Sequence, residues 1–487
     1  MLKLRKLLPL LLVLTVAGTA WVGVLSAAAP DEGPFWPRFH GPKGDNHSPE
    51  TGLMTEWPEG GPKLLWTVDG LGFGYSSVTL AHNMIYTIGN VPTKDSTDEK
   101  PDFRNEVAAI GLDGKRVWVN NDYPAFEGHM RGSRSTPTVD GDRLYIESPV
   151  GDVYCLDAKT GKKIWGINIL EKFNAPNITW ALSESLLIDG DNVICCPFGP
   201  ETAVVALNKN TGEVVWRSEP AKGDDAEYED DIKKVRASLE REAKAKAAKA
   251  AEEGKEIAVE EIPDDHEAFE KAKADKASYA SPILVEYGGI RMILTMSGKG
   301  LVGVNADTGK LLFRYAHKTT HDAAVANPIF HDGQVFISTG YGTTGSAMVK
   351  LTVDGEKVTA EKVWGSKELD NHHGGVVLID GYLYGAAHKF NKAKWICLDW
   401  KTGEMKWAEK GVGKGSCTYA EGLLYTLSSA HQMGIAKPTP DGHEIISQFE
   451  IPDLGKSTSR GHPVVIGGRL YIRHNDYLYA WDIKAPE

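Results

Sequence analysis

The chain has 487 residues, of which 41% are hydrophobic and 25% are charged, and it contains 52 glycines. This composition excludes a disordered tail and a membrane protein with many spans, and the length suffices for a sizeable core. The 54 basic and 66 acidic residues give a net charge of −12, which opposes non-specific attraction to nucleic acid or anionic lipid.

Residues 1–28 have the layout of a secretory signal peptide. Lys3 and Arg5 precede an apolar run that begins at Leu7, and the small residues Ser26 and Ala28 occupy the two positions that define a cleavage site. An uncleaved membrane anchor is the alternative, because the uncharged stretch is close to the roughly 20 residues that span a bilayer. Both interpretations predict a periplasmic or secreted protein of the cell envelope, which contacts the membrane only if the leader stays uncleaved.

A lead-in segment, 29–62, is followed by a hairpin pattern that recurs through 63–218 and again through 278–487. Each complete copy has an Asp or Asn and a Thr whose side chains bond into the turn, then a Gly that permits a positive φ. An aromatic residue ends each copy, and its large apolar face is expected to stack between neighbouring sheets. The glycines and aromatic residues of the motif are Gly161 and Trp165, Gly212 and Trp216, Gly309 and Phe313, and Gly403 and Trp407.

A charged insertion, 219–277, interrupts the repeat between Trp216 and Phe313, where the spacing is about twice that between other units. Its first part, Asp224 to Glu253, is rich in Ala, Glu and Lys and predicts a long exposed helix; Pro263 to Lys276 predicts a shorter one. Two interpretations stay open for this helical arm: a solvated surface element, or a docking arm for another envelope protein.

The two ends of the repeat region are expected to complete one unit. Lys63 to Trp66 has the pattern of a fourth strand without the first three, whereas His462 to Ile483 has three strands and lacks a fourth. Pairing them closes a ring of eight units and covers edges that otherwise invite aggregation. The predicted fold is therefore an all-β, eight-bladed propeller with a charged helical insertion.

The turn from Cys155 to Trp165 resembles the tryptophan-docking motif of β-propellers of the pyrroloquinoline quinone (PQQ) type. That fold class includes quinoprotein alcohol dehydrogenases and the outer-membrane β-barrel assembly factor. Trp36-Pro-Arg-Phe-His-Gly-Pro42 and Asn371-His-His-Gly-Gly375 resemble a branch of exported bacterial PQQ-like propellers. The resemblance covers about Lys63 to Ile483 and implies the propeller fold, but the docking motif is not specific for quinone binding.

In a propeller the innermost strand of each blade starts at one mouth of the central channel, so residues just before these strands converge. Four basic residues would focus an anionic small molecule there, and Trp or Tyr rings would stack on a flat one. The alternative is that water and backbone satisfy these polar groups without a ligand. The candidate ligand-binding residues are Tyr75, Arg131, Arg134, Trp180, Tyr279, Asn327, His372, His373, Lys414, Arg460 and His462.

The five cysteines form no C-x-x-C pair, so c-type haem and a zinc ribbon have no support. Cys195 and Cys196 resemble the vicinal disulfide of quinoprotein alcohol dehydrogenases. They lie, however, in a predicted strand away from the mouth, which argues against a role in cofactor binding. No catalytic residue and no metal ligand is assigned.

Three functions remain open. The first is a ligand-binding or protein-binding scaffold in the cell envelope. The second, implied by the resemblance, is a PQQ- and calcium-dependent dehydrogenase of alcohols or sugars, although the family's calcium ligands and catalytic aspartate cannot be matched here residue by residue. The carboxylates available near the mouth for that role are Glu184, Asp322 and Asp370. The third is an envelope assembly factor that binds extended peptides.

Overall fold

The computed structural model describes residues 33–97, 99–128, 130–252, 266–342, 344–452 and 458–486. The predicted leader, 1–28, lies outside the described residues. The strands form eight sheets in which successive strands pair antiparallel, and the innermost strands of neighbouring sheets touch around the ring. The predicted all-β, eight-bladed propeller is confirmed.

Strands β1 (His47–Ser48) and β2 (Lys63–Val68) precede the first complete blade. Blade 1 consists of β3 (Thr79–Ala81), β4 (Met84–Pro92), β5 (Phe103–Gly111) and β6 (Arg116–Pro124), and blade 2 of β7 (Thr138–Asp140), β8 (Arg143–Glu147), β9 (Asp152–Asp157) and β10 (Lys163–Asn168). Blade 3 consists of β11 (Leu187–Asp189), β12 (Asn192–Cys195), β13 (Val205–Asn208) and β14 (Val214–Arg217). Blade 4 consists of β15 (Ile283–Tyr287), β16 (Ile290–Ser297), β17 (Gly300–Asn305) and β18 (Leu311–Ala316).

Blade 5 consists of β19 (Ile329–His331), β20 (Gln334–Ser338), β21 (Ser346–Asp354) and β22 (Lys357–Ser366). Blade 6 consists of β23 (Val377–Ile379), β24 (Tyr382–Ala386), β25 (Trp395–Asp399) and β26 (Met405–Glu409). Blade 7 is β27 (Gly415–Ala420), β28 (Leu423–Ser428), β29 (Gln432–Thr439) and β30 (Gly442–Glu450), and blade 8 starts with β31 (Val464–Ile466), β32 (Arg469–His474) and β33 (Tyr477–Asp482). Three helices complete the described residues: α1 (Ile169–Lys172), α2 (Glu229–Glu252) and α3 (His266–Ala272). None of these helices is both long and apolar enough to cross a membrane.

A contact between the motif glycine of one blade and the aromatic ring of the preceding blade joins neighbouring blades at several junctions. Gly161 has a φ of +71°, and a Cβ placed on it would lie 2.4 Å from the ring of Trp118 in the preceding blade. The Trp118 indole N–H also donates to the carbonyl of Ala158 at 3.0 Å. A shift of strand register lies directly before Trp165 and before the corresponding aromatic residue of six other blades, and it turns the ring toward the neighbouring sheet; in blade 7 the shift precedes Ser447. Gly212, Gly309 and Gly403 receive Trp165, Trp216 and Trp364 in the same way.

The ring is closed as predicted, because β2 pairs antiparallel with β33 and supplies the fourth strand of blade 8. The Trp66 indole N–H donates to Leu112 O of blade 1 at 3.0 Å. The junction between blade 8 and blade 1, hereafter the seam, therefore has the same kind of tryptophan docking contact as the junction between blades 1 and 2. Segments from both ends of the repeat region are thus built into one blade, and the indole N–H of Trp66 bonds the next blade as those of Trp118, Trp165, Trp364 and Trp407 do.

Residues 36–48, hereafter the channel plug, lie across the channel at the end opposite the mouth. Trp36 forms a bridge with Leu80 of blade 1, and the Val139 N–H of blade 2 donates to Pro37 O at 2.7 Å. At the other end of the plug, β1 pairs parallel with β27 of blade 7. The innermost strands run from the mouth toward these contacts, so the plug leaves the channel open to solvent from the mouth side.

The insertion forms a helical arm, and its predicted long helix is found as α2, although residues 253–265 lie outside the described part. A shorter helix, α3, packs against α2, with Arg236 over the ring of Phe269 at 5.4 Å. Lys222 and Ala274 form an antiparallel bridge at the base of the arm. Its two ends therefore leave the ring from adjacent points, as a single protruding element.

Candidate functional site

A belt of hydrogen bonds ties the starts of the innermost strands together at the mouth. The belt runs from the Ser77 N–H to Thr136 Oγ1 (3.0 Å), from the Thr136 N–H to Ser185 Oγ (2.9 Å), from the Ser185 N–H to Ser281 Oγ (2.9 Å) and from the Ser281 N–H to Asn327 Oδ1 (2.8 Å). Short polar side chains thus replace the strand partners that a closed ring of converging strands cannot supply. The belt fixes the rim on which the candidate ligand-binding residues stand.

Inside the belt lies a cavity of about 290 Å³. Its floor is near the channel plug, which contributes Phe39, and His40 of the plug shares a 3.1 Å hydrogen bond with His462 of blade 8. The cavity is lined by Phe39, Tyr75, Met130, Arg134, Trp180, Ser183, Ser185, Tyr279, Ala323, Val325, Tyr341, His372, His373, Gly374, Arg460 and His462. Residues from distant parts of the chain therefore share one cup, which is called the mouth cavity below.

Two guanidinium groups lie against a single aromatic ring of the mouth cavity. The Cζ atoms of Arg134 and Arg460 are 5.1 and 4.9 Å from the centre of the Tyr75 ring. Arg134 donates to the backbone carbonyls of Gly132 and Met130, at 3.0 and 2.7 Å. Burial lowers the pKa of Arg134 to about 10, which leaves it charged at neutral pH. Among the described residues no Asp or Glu lines the cavity, so the two positive charges face it without a carboxylate from that part of the chain.

An aromatic wall stands on one side of the mouth cavity. The rings of Trp180 and Tyr341 are stacked, with centroids 5.5 Å apart and planes inclined by 19°. Tyr279 lies 5.9 Å from Trp180, and its hydroxyl accepts the Trp180 backbone N–H at 3.1 Å. His372 meets the edge of Tyr341 at 4.8 Å. The wall presents flat apolar faces next to the arginines.

The histidines of the mouth cavity are neutral. Burial, followed by the nearby His388, lowers the pKa of His372 to about 3, and burial lowers that of His373 well below its usual value. The Nδ1 atoms of both rings, and Nε of Arg460, are buried without a hydrogen-bond partner among the described residues. A buried polar atom without a partner costs about 1–3 kcal/mol, so these three atoms favour occupation by a polar ligand or by ordered water.

Eight of the eleven candidate residues line the mouth cavity: Tyr75, Arg134, Trp180, Tyr279, His372, His373, Arg460 and His462. Three do not. Arg131 is exposed and lies over the ring of Phe103 at 5.1 Å. Asn327 belongs to the belt. Lys414 lies beside the cavity, where its Nζ donates to His388 Nδ1 at 3.0 Å; burial and then the neighbouring Arg460 lower the pKa of Lys414.

Sequence reasoning missed several members of the cavity, chiefly Phe39 and Tyr341. Tyr341 follows β20, in the turn between the second and third strands of blade 5, and these turns also open on the mouth. Phe39 comes from the plug, whose concentration of aromatic residues after Trp36 was the available signal. Its position, however, depends on a chain crossing that no local pattern specifies.

The carboxylates proposed as calcium ligands or as a base do not fit that role in this cavity. Glu184, Asp322 and Asp370 are absent from its lining. The Asp370 side chain accepts the backbone N–H groups of Gly342, His388, Lys389 and Phe390, and so organises two loops. Among the described residues, no three His, Cys, Asp or Glu side chains are grouped to hold a metal ion. Calcium prefers six to eight oxygen ligands, which the cavity wall does not provide.

Glu184 belongs instead to a buried pair with Glu147, next to Cys195 and Cys196. Its Oε2 accepts the Cys196 N–H at 3.0 Å, whereas Glu184 Oε1 and Glu147 Oε2 have no partner among the described residues. Burial raises the pKa of Glu184 to about 8 and that of Glu147 well above its usual value. Both cysteines are buried free thiols, and burial raises their pKa values. This cluster lies behind the cavity wall, in the core of the ring.

A family model with the description "Outer membrane protein assembly factor BamB" matches residues 103–409. Among curated proteins, the quinoprotein ethanol dehydrogenase of Pseudomonas aeruginosa is 36% identical over 89 residues, which are 18% of this chain and 14% of that protein. The quinoprotein ethanol dehydrogenase of Pseudomonas putida is 32% identical over 95 residues, 19% of this chain and 15% of that protein. The matches thus span about one seventh of the length of these relatives.

Solved structures show the same fold at low identity. BamB from Moraxella catarrhalis superposes with a TM-score of 0.51 and 14% identity over 87% of this chain and 98% of that chain. The quinohemoprotein alcohol dehydrogenase from Comamonas testosteroni superposes with a TM-score of 0.57 and 13% identity over 93% of this chain and 81% of that chain. At such identities the likeness concerns the fold alone, and the chemistry of the mouth has to be argued from its own residues.

Proposed function

Since the chain belongs to the family described as outer membrane protein assembly factor BamB, and since its mouth is a cationic, aromatic cup, we propose that it is a binding module for a small, flat organic anion. The binding needs no divalent metal. The site is the mouth cavity, and the ligand carries at least one carboxylate or an equivalent acidic group next to a ring.

The observation that carries this proposal is the pair of arginines on Tyr75, in a cavity that no carboxylate of the described residues lines. Two like charges held close together and partly desolvated repel each other, and an anion between them relieves that repulsion. Hydrogen bonds to charged groups contribute about 1.5–3 kcal/mol each, so one carboxylate that both arginines contact gains several kcal/mol. The buried Nε of Arg460 is a donor already in place for such a contact.

The shape of the cavity supports a flat and small ligand. The stacked Trp180 and Tyr341 offer a ring face, and stacking on aromatic side chains contributes about 0.5–1.5 kcal/mol beyond the area buried. The volume of about 290 Å³ is at the lower end of the range for ligand pockets, roughly 300–1,000 Å³. Because the plug closes the far end of the channel, the ligand enters and leaves through the mouth alone.

The dehydrogenase alternative lacks a set of calcium ligands among the described residues, since Glu184 and Asp370 accept backbone N–H groups and Asp322 does not line the cavity. An assembly factor for extended peptides needs a longer groove than this cup. Both alternatives are kept as outcomes of the experiment below.

Isothermal titration calorimetry with benzene-1,2,4-tricarboxylate, quinoline-2-carboxylate and PQQ, each with EDTA and with calcium, tests the proposal. At least one probe is expected to bind in EDTA, and Arg460→Gln is expected to weaken it at least tenfold, whereas the matched control Arg131→Gln changes the affinity less than twofold. Binding that requires calcium, together with reduction of a redox dye by alcohols when PQQ is present, would establish the dehydrogenase instead. Failure of every probe would overturn the proposed function.

We further propose that the protein acts in the cell envelope, on the basis of the signal-peptide pattern of residues 1–28 and of the family described above. Fractionation of cells that produce the full chain, with mass measurement of the mature protein, tests this placement. Recovery in the cytoplasmic fraction at full mass would contradict it.

A further inference from the structure

A second concave surface lies outside the ring, between the base of the helical arm and the outer strands of blades 4 and 5. It has a volume of about 760 Å³, larger than the mouth cavity, and is called the arm groove. The arm supplies Asp224, Ala226 and Glu227 to one wall. The remaining lining residues come from β18, β21, β22 and adjacent turns: Lys299, Tyr315, Ala316, His317, Lys318, Thr344, Ser346, Ala347, Lys362, Gly365, Ser366 and Lys367.

The arm wall is held in place by a network of buried and half-buried charges. The Tyr228 hydroxyl donates to Asp275, and Arg314 bonds both Asp275 and Glu227, at 2.9 Å and 2.6 Å in the shortest contacts. Burial raises the pKa of Asp275 despite its partners, whereas the pKa of Arg314 is raised by its hydrogen bonds to Asp275 and Glu227, which outweigh burial. The insertion therefore adds a fixed wall rather than a loose tail, and the groove exists only because the wall is there.

The charges that face the arm groove are unbalanced. Lys299 is paired with Asp231 at 2.8 Å, and Glu227 is paired with Arg314. By contrast, Lys318, Lys362 and Lys367 are exposed and make no ion pair within the described residues. His317 is buried beneath them, where its ring shares a 3.1 Å hydrogen bond with Gly345 O. Three lysines without an ion pair, against the one carboxylate of Asp224 on the arm wall, thus give the groove a net positive charge on a protein whose net charge is −12.

We propose that the arm groove is a docking site for an extended acidic peptide segment of a partner protein. The lysines supply charge complementarity, and in a concave site such charges act more strongly than on a convex surface. Tyr315 adds an aromatic contact, while the small side chains of Ala316 and Ala347 leave room for a peptide backbone to approach closely. The acidic Asp224 on the arm wall, and the acidic balance of the whole protein, disfavour a nucleic acid, whose charge continues beyond the groove. This site is independent of the proposed function of the mouth.

Fluorescence anisotropy of a labelled ten-residue peptide of alternating Glu and Ser tests the proposal with the full chain. The variant K318E/K362E/K367E is expected to lose at least tenfold in affinity. The matched control K401E/K410E/K437E changes the net charge equally, at exposed lysines of blades 6 and 7, and is expected to lose less than threefold. Circular dichroism and binding of the anionic probe at the mouth show that both variants are folded.

Equal losses in the two triple variants would overturn the proposal, because they would report net charge rather than a site. Absence of peptide binding at low salt would do the same, as would a ten-residue single-stranded oligonucleotide that binds more tightly than the peptide. Unchanged peptide affinity in Arg460→Gln is expected and separates this result from that at the mouth.

Discussion

At the scale of the residue, the motif glycines carry the contact between blades. Gly161 meets the ring of Trp118 and has a left-handed backbone, whereas Gly190, with a φ of +58°, has open space where a Cβ would stand. Comparison of the two positions separates backbone strain from the docking contact.

Gly161→Ala is expected to destabilise the protein more than Gly190→Ala. Both variants place a side chain in left-handed backbone, at a cost of about 1–2 kcal/mol, and Gly161→Ala adds a clash with Trp118 of about 1–3 kcal/mol. Urea unfolding followed by tryptophan fluorescence measures the difference. Equal losses would contradict the conclusion that ring-on-glycine contacts hold neighbouring blades together.

The buried Glu147 and Glu184 predict a decline of stability that begins near the usual glutamate pKa of 4.5 and continues to about pH 8. Because their pKa values are raised in the folded state, the folded protein holds protons that the unfolded chain has released, and stability falls as pH rises toward the folded value, about 8 for Glu184. The buried histidines act oppositely. The pKa of His462 and of His443 is about 4, so their contribution grows from pH 4 to about 6.5 and is then complete.

Below about pH 6.5 the histidine gain and the glutamate loss oppose each other, and above it only the glutamate loss remains. Urea midpoints measured from pH 5 to pH 8.5 are therefore expected to fall between about pH 6.5 and pH 8. The double variant Glu147→Gln/Glu184→Gln is expected to abolish this fall and also to steepen the increase of the midpoint between pH 5 and about 6.5, because the opposing glutamate loss is removed there as well. A fall that persists in the double variant would assign it to other groups.

At the scale of the element, the helical arm is separable from the ring. Its ends meet at the bridge between Lys222 and Ala274, so a short turn can join them without moving the blades. Arg314 keeps Asp275 as a partner when the arm is removed.

Replacement of residues 223–273 by a short Gly-Ser turn is expected to preserve the β-sheet circular dichroism and to change the affinity of the mouth for its anionic probe less than twofold. The reason is that no arm residue lines the mouth cavity. Loss of cooperative unfolding in this variant would show that the arm belongs to the folding unit of the ring.

The strands and turns of the propeller could be predicted where a short stretch of sequence contains the residues that determine them. The turn from Cys155 to Trp165 contains its own glycine and docking ring, so the repeat, the ring of eight and the closing strand could be inferred from the sequence. The cation-rich mouth followed from the rule that innermost strands converge, which located Arg134 and Arg460. The positions of Phe39 and Tyr341, the belt role of Asn327 and the arm groove depend on contacts between distant segments, which no short pattern encodes.

At the scale of the whole molecule, the channel plug couples the first residues of the ring to the last. Asn46 is buried, has a φ of +63°, and its side chain contacts Cys417 O and Thr418 Oγ1 of blade 7. Asn83 has a similar φ, +56°, but lies exposed in a hairpin of blade 1.

Asn46→Ala is expected to cost about 2–3 kcal/mol more than Asn83→Ala, because it leaves buried partners without a hydrogen bond in addition to the backbone strain. Hydrogen exchange is expected to accelerate in β27 and β31 but not in β16, on the far side of the ring. Uniform acceleration in all blades would mean that the plug stabilises the molecule globally rather than at the seam.

The closing strand has a consequence for the order in which the protein is made. Residues 63–68 pair with 478–482, so a strand that is synthesised early cannot form its hydrogen bonds until a strand about 400 residues later has been made. Pairing between strands that are far apart in the sequence slows folding, because the chain loses the entropy of loop closure before the stabilising contacts form. A nascent chain without blade 8 exposes an unpaired strand and an open channel, and it is expected to depend on chaperones until synthesis is complete.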